Sequence, residues 1–266
     1  MLPNYEIYAL RYATDERRRR HENFITTPDP HDGSMPMDYY VWLLRDGKRH
    51  FLVDTGFNEA AARSRGRKFL RCPIDALAAF GLAPQEIDDV IVTHLHYDHA
   101  GNLRRLPHAR IHLQEKEMHY ACGCNMRFDM LRHAYAVDDV VDVLRGVYDK
   151  RVDFCQGNEE IAPGVQVLHI GGHTQGLQSV RVHTARGWVV LASDASHYYD
   201  NMRGHAPFPI VFNVADMLAG YATLARFADS PEHIIPGHDP AVLARYPTVG
   251  GQQDIVALHL PPVAAA

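Results

Sequence analysis

The sequence predicts one α/β domain over residues 1–266, with helices covering sheets of largely β-branched strands. Three observations support this. Short apolar runs such as V-I-V-T (90–93), V-Q-V-L-H-I (165–170) and W-V-V-L-A (188–192) read as buried strands. Val214, Met217, Leu218, Tyr221, Leu224 and Phe227 fall at helical spacing and read as one core-facing helix. No Pro/Gly/Ser-rich linker divides the chain, and its length supports a large core.

Taken in order, residues 5–12 alternate enough to form a strand, and 13–37 is polar and Pro-rich, a long loop. Residues 39–44 and 50–53 form a hairpin through Asp46-Gly47. A short helix is expected at 73–80, with Pro at its start and Gly81 beyond its end. Strands follow at 90–93 and 109–113, then a charged helical insertion over about 125–150. Strands at 165–170, 177–183 and 188–192 precede the helix, and 232–236 closes with a short strand. The Gly- and Ala-rich tail after about 247 is expected to fray.

Composition narrows the partners. With 27 Lys+Arg against 32 Asp+Glu the net charge is −5, which argues against a nucleic-acid backbone. Arg17, Arg18, Arg19 and Arg20 form the one basic run and read as a solvated loop. No stretch is long and apolar enough to span a bilayer, and the N-terminal residues lack a secretory pattern. Cys72, Cys122, Cys124 and Cys155 have no framework spacing, so free thiols in a reducing cytoplasm are expected. A homodimer is compatible with the sequence.

Histidine, at 18 residues, is the outlier. In V-I-V-T-H-L-H-Y-D-H-A-G-N-L, His94 and His96 sit two apart after a strand, where both can reach one ion. Asp98 and His99 can face a second ion, while Leu95 and Tyr97 point away and pack. Two coordination shells need more ligands, and each candidate follows a strand: His173 after Gly171-Gly172, Asp194 among small residues, and His238 after Pro236-Gly237. His169 and His233 are read as structural.

From about residue 39 to 238 this pattern resembles the metallo-β-lactamase superfamily. H-L-H-Y-D-H, the later G-G-H, the isolated Asp and the final G-H carry the resemblance. It implies an αββα sandwich with two divalent cations at one edge, zinc first, though the same ligands accept iron, manganese or cobalt. By this resemblance His94, His96 and His173 would hold one metal, Asp98, His99 and His238 the other, with Asp194 bridging. Asp54, in F-L-V-D-T-G, would orient a ligand histidine.

An Asp rather than a Cys at the bridging position favours a dinuclear hydrolase over a true β-lactamase. The chain length, the L-V-D-T-G entry, H-x-H-x-D-H-A-G-N and D-A-S resemble the N-acyl homoserine lactonase branch most closely. That implies a lactone or related ester as the small-molecule partner, opened by hydroxide generated between the metals, with Asp98 shuttling the proton. One position departs from the branch. Its tyrosine three residues after the bridging Asp is here His197, followed by Tyr198, and either could donate to a developing oxyanion. Met35, Met37, Phe208, Ile210 and Phe212 are the candidates for an acyl channel.

A glyoxalase II-like thioesterase would share the ligands but lacks its expected basic C-terminal region here. A mononuclear iron persulfide dioxygenase-like enzyme is the remaining alternative of another reaction class.

Overall fold

Alternation along each strand decides which face meets which layer. The computed structural model describes residues 2–26 and 31–263. Among these the strands are β1 Glu6–Asp15, β2 Met37–Arg45, β3 His50–Val53, β4 Lys68–Phe69, β5 Asp89–Ile91, β6 Arg110–Gln114, β7 Val152–Cys155, β8 Glu159–Ala162, β9 Val165–His169, β10 Gln178–Thr184, β11 Gly187–Ser193, β12 Ile234–Pro236, β13 Thr248–Val249 and β14 Gln252–Ala257. The larger sheet runs β13-β14-β1-β2-β3-β5-β6-β7, with β4 paired to β1; the smaller runs β12-β11-β10-β9-β8.

Ile7, Ala9, Trp42, Val53 and Ile91 of the larger sheet pack against Val167, Val180, Val182, Val189 and Leu191 of the smaller. The alternate residues Leu10, Val41, Leu43, Val90 and Val92 face outward onto Leu77, Leu103, Val140 and Val143. Leu168, Ile170, Val190 and Ala192 face the opposite way, onto Tyr221 and Leu224 of the helix Val214–Phe227. Both faces of each sheet are therefore covered, which is why their strands read as continuous apolar runs. The result is an αββα sandwich.

Several expectations are corrected. The loop expected over 13–37 begins as strand: β1 continues through a bulge to Asp15, and Arg20–Asn23 forms a 3-10 turn. Residues 27–30 of that loop lie outside the described residues. The tail after 247 is not frayed. β14 pairs antiparallel with β1, Tyr8 opposite Ala257, and buries Ile255 and Val256; only 264–266 lie outside the described residues. The turn Asp75–Phe80 is 3-10, ended by left-handed Gly81. The helical stripe is narrower than expected, because Val214 and Leu218 are exposed while Met217, Tyr221 and Leu224 are buried. Two four-residue strands, β7 (V-D-F-C) and β8 (E-E-I-A), were not among the expected elements. Among the described residues no helix is long and apolar enough to cross a membrane.

The expected insertion is helical in three pieces, Cys124–Arg127, Asp129–Arg132 and Val137–Tyr148. On the last, burial and then Asp142 and Asp138 push the Asp139 carboxyl up to about 6 from its ordinary 3.8. A raised acid stabilises the fold below about pH 4 and loses that contribution as pH climbs through 6. Asp139→Asn should therefore gain about 1–2 kcal/mol at pH 7, after discounting for partial exposure, and nothing at pH 4. Denaturant titrations at both pH values check this.

Candidate metal centre

The ligand-bearing strands end at one edge of the sandwich. β3 and β5 are parallel, as are β11 and β12; β9 runs with them because β10 is antiparallel to both its neighbours. Asp54, His94, His173, Asp194 and His238 each follow the C-terminal end of one of these strands, the side where α/β sheets place their sites. Two of the residues there are left-handed without being glycine, Asp54 (φ 61°) and Ser193 (φ 49°). Such conformations persist only where the surroundings hold them.

All seven expected ligands converge, buried or nearly so. His96 Nδ1 lies 3.0 Å from both His94 Nε2 and His173 Nε2. Asp194 Oδ2 faces this group, 3.2 Å from His173 Nε2 and 3.7 Å from His94 Nε2. Its other oxygen, Oδ1, is 3.0 Å from His238 Nε2 and 3.3 Å from His99 Nε2. Asp98 Oδ2 completes this second group, 3.8 Å from His99 Nε2 and 3.9 Å from His238 Nε2. Ligands about 2.0–2.1 Å from a tetrahedral ion stand about 3.3 Å apart, so these spacings suit divalent cations. Among the described residues buried His99 Nε2 makes no well-aligned hydrogen bond, with Asp194 Oδ1 beside it at 3.3 Å, which fits a nitrogen available to a cation.

Electrostatics divide the two groups: burial lowers His99 and His238, but Asp194 and the carboxylates around them outweigh it and draw both upward. Burial and the neighbouring imidazoles hold His94 and His96 well below the usual histidine range, keeping them neutral. For Asp194 burial works against ionisation, but His197, His238, His99 and His173 outweigh it and hold the carboxyl well below its ordinary value.

The outer nitrogens are anchored, as ligand histidines require. His99 Nδ1 meets Asp54 Oδ2 at 2.7 Å; the same carboxyl accepts from Thr93 N at 2.7 Å and Thr93 Oγ1 at 2.8 Å. His173 Nδ1 meets the Ile210 carbonyl at 2.6 Å, and His238 Nδ1 the Asp38 carbonyl at 2.9 Å. Gly172 (φ +84°) is needed beside His173, since a Cβ there would lie 2.5 Å from Met217 N.

Glu117, on the helix Glu115–Ala121, carries no local motif and was not legible as a site residue. It is fully buried and clamps the two histidine loops together. Oε1 accepts from Leu95 N at 3.0 Å and Tyr135 OH at 2.9 Å; Oε2 accepts from Thr174 Oγ1 at 2.6 Å and Gly176 N at 3.1 Å. Leu95 packs into the core as expected, whereas Tyr97, stacked on Phe57, also lines the cavity over the cluster, contrary to the expectation that it points away. His169 Nε2 bonds the Gln175 carbonyl and His233 Nε2 the Arg186 carbonyl, both structural.

His197 and Tyr198 separate. His197 Nε2 lies 3.0 Å from Asp194 Oδ2, and its ring stacks on Phe208 at 3.7 Å. Tyr198 turns into the outer core, and its hydroxyl donates to the Pro36 carbonyl at 3.2 Å. The phenols lining the cavity over the cluster are instead Tyr39 and Tyr97. That cavity, about 80 Å³, is also lined by Met37, Phe208, Ile210 and three arginines, Arg18, Arg65 and Arg67. A second of about 50 Å³ shares His96, His133, His173 and Ile210 with it and continues to Leu131 and Val211. Of the expected channel residues, Met35 and Phe212 line neither cavity; Phe212 packs edge-on to Tyr120.

Fold and site, taken with the family and relatives that the chain matches, define a metal-dependent hydrolase acting on ester bonds. Residues 36–238 match the model of the metallo-beta-lactamase superfamily, and the chain belongs to that superfamily, in its lactonase-like branch. An N-acyl homoserine lactonase of a Bacillus species is 29% identical over 191 residues, 65% of this chain and 70% of its own. One from Bacillus thuringiensis is 28% identical over 184 residues, 64% and 68% of the two chains. The solved structure of an N-acyl homoserine lactone hydrolase, with N-hexanoyl-L-homoserine at its catalytic metal centre, superposes with a TM-score of 0.74 at 23% identity, covering 91% of this chain and 96% of its own. A dizinc quorum-quenching lactonase gives 0.69 at 16%, covering 90% and 89%.

Proposed function

We propose that the protein is a dinuclear lactonase, opening N-acyl homoserine lactones or a related lactone, with two zinc ions as its resident metals. The observation that carries this reading is Asp194, whose two oxygens face two separate ligand groups. His94, His96 and His173 would hold one ion, and Asp98, His99 and His238 the other. Two divalent cations held by these residues would supply an acidified water and charge stabilisation for the attacking and leaving oxygens.

The chain's own groups do the rest. Asp54 fixes the His99 ring so that Nε2 points at the site. His197 holds Asp194 Oδ2 in place and, through Phe208, closes one wall against water. Asp98 borders the cavity and is the carboxyl placed to carry a proton to the departing ring oxygen. All four cysteines are free thiols, which fits a cytoplasmic setting.

A panel of homoserine lactones of varying chain length, simple γ-lactones, glutathione thioesters and phosphodiesters tests the assignment. Lactone opening should exceed the other reactions, vanish on chelation and return with added zinc. Thioester cleavage without lactone opening would refute it, as would about one iron per chain with oxygen uptake.

A further inference from the structure

We infer that the natural substrate carries a carboxylate, which Arg18 and Arg65 receive at the mouth of the metal cavity. The inference rests on the lactonase reading and adds the substrate's charge to it. It starts from the basic run that read as a solvated loop. Three of its members are used elsewhere: Arg17 Nη2 donates to the Gly66 carbonyl at 2.7 Å, Arg19 pairs with Asp32 at 2.5 Å, and Arg20 lies 3.6 Å from Asp200. Arg18 turns the other way and lines the cavity over the ligand cluster.

The guanidinium of Arg18 is held by neutral groups alone. Nε donates to the Asn23 side chain and Nη2 to the Glu22 carbonyl at 2.8 Å, with the plane over Phe208 at 4.8 Å. Arg65, which ends the helix Glu59–Ser64, lines the same cavity. It donates to the carbonyls of His133 at 2.9 Å and Tyr135 at 3.4 Å, and lies over Tyr97 at 3.8 Å. Among the described residues neither Arg18 nor Arg65 pairs with a carboxylate. Arg67, the third arginine of the lining, is neutralised by Asp15 at 2.5 Å.

Among the described residues the only acids lining the cavity are Asp98 and Asp194, and both belong to the proposed ligand groups. Among the described residues neither guanidinium has a carboxylate at ion-pair distance, the charge of Arg65 being felt by Asp139 only at longer range, and neutral acceptors hold both in place. Such a guanidinium favours a planar oxyanion that takes its N–H groups in pairs. An N-acyl homoserine lactone with a plain alkyl chain is uncharged and would leave both arginines unanswered.

Two lactones differing only in this group provide the test: N-succinyl-homoserine lactone and its terminal carboxamide. With the zinc-loaded enzyme, the carboxylate should be preferred about tenfold or more in kcat/KM, the range of a charge-assisted hydrogen bond. The preference should reside mainly in KM and shrink as NaCl rises. Arg18→Met and Arg65→Met should each drive the ratio toward one, with metal content unchanged by elemental analysis. Equal rates on the two lactones, or an unchanged ratio in both variants, would overturn the inference. If neither lactone opens, the lactonase reading has failed, and calorimetric titration of the zinc-loaded protein with succinate then decides the arginine site. Binding that weakens in both variants upholds it; binding that is absent, or indifferent to them, overturns it.

Discussion

Asp194→Ala is expected to lower hydrolysis by about a thousandfold or more, with bound metal falling below two ions per chain. The reason is geometric. One carboxylate supplies an oxygen to each of two ligand groups, at 3.2 Å from His173 Nε2 and 3.0 Å from His238 Nε2. Removing it opens both groups at once, and it leaves five buried histidines facing a gap. Asp194→Asn isolates the charge from the shape, because it keeps the volume but replaces one anionic oxygen with an amide donor. That variant should retain the fold and still lose most of the activity. Elemental analysis beside lactone turnover measures both, and wild-type activity in a metal-depleted Asp194→Ala protein would end the dinuclear argument.

The second large effect is expected at Glu117, which touches no proposed ligand atom. Truncation to alanine strands four buried donors: the Leu95 and Gly176 amides and the Thr174 and Tyr135 hydroxyls. Each unsatisfied group costs about 1–3 kcal/mol, although the four will not add fully. A loss of about 3–5 kcal/mol is expected, lowering Tm by roughly 10 °C. The same change frees the loop of His94 and His96 from the loop of His173, so zinc affinity should fall by about 10–100-fold. Glu117→Gln keeps the volume but turns an amide donor toward these donors, and should fall between wild type and alanine. Unaltered zinc affinity in both variants would reduce Glu117 to a packing residue.

How far the site could be read in advance follows from where its information lies. His94, His96, Asp98 and His99 fall within six positions, so spacing alone exposed them. His173, Asp194 and His238 were legible because each follows an apolar strand, and strand ends gather at one edge. Glu117 and Arg65 had no such marker. Their roles come from partners far along the chain, such as Thr174 for Glu117 and His133 for Arg65. Tyr198 was misplaced for a related reason. The sequence put it beside His197, but adjacent residues in extended backbone point to opposite sides, so one reaches Asp194 and the other enters the core.

The tail shows the same limit in the fold. Residues 252–257 are too short and polar to declare themselves, and they become strand because β1 offers an edge almost 250 residues earlier. Local patterns therefore determined the α/β class, most strands and the seven converging candidate ligands, because periodicity and strand ends are properties of neighbours. Tertiary structure alone decided the clamp at Glu117, the arginines at the cavity mouth and the final strand. Those depend on which distant backbone groups and charges are left to be satisfied once the sheets have packed.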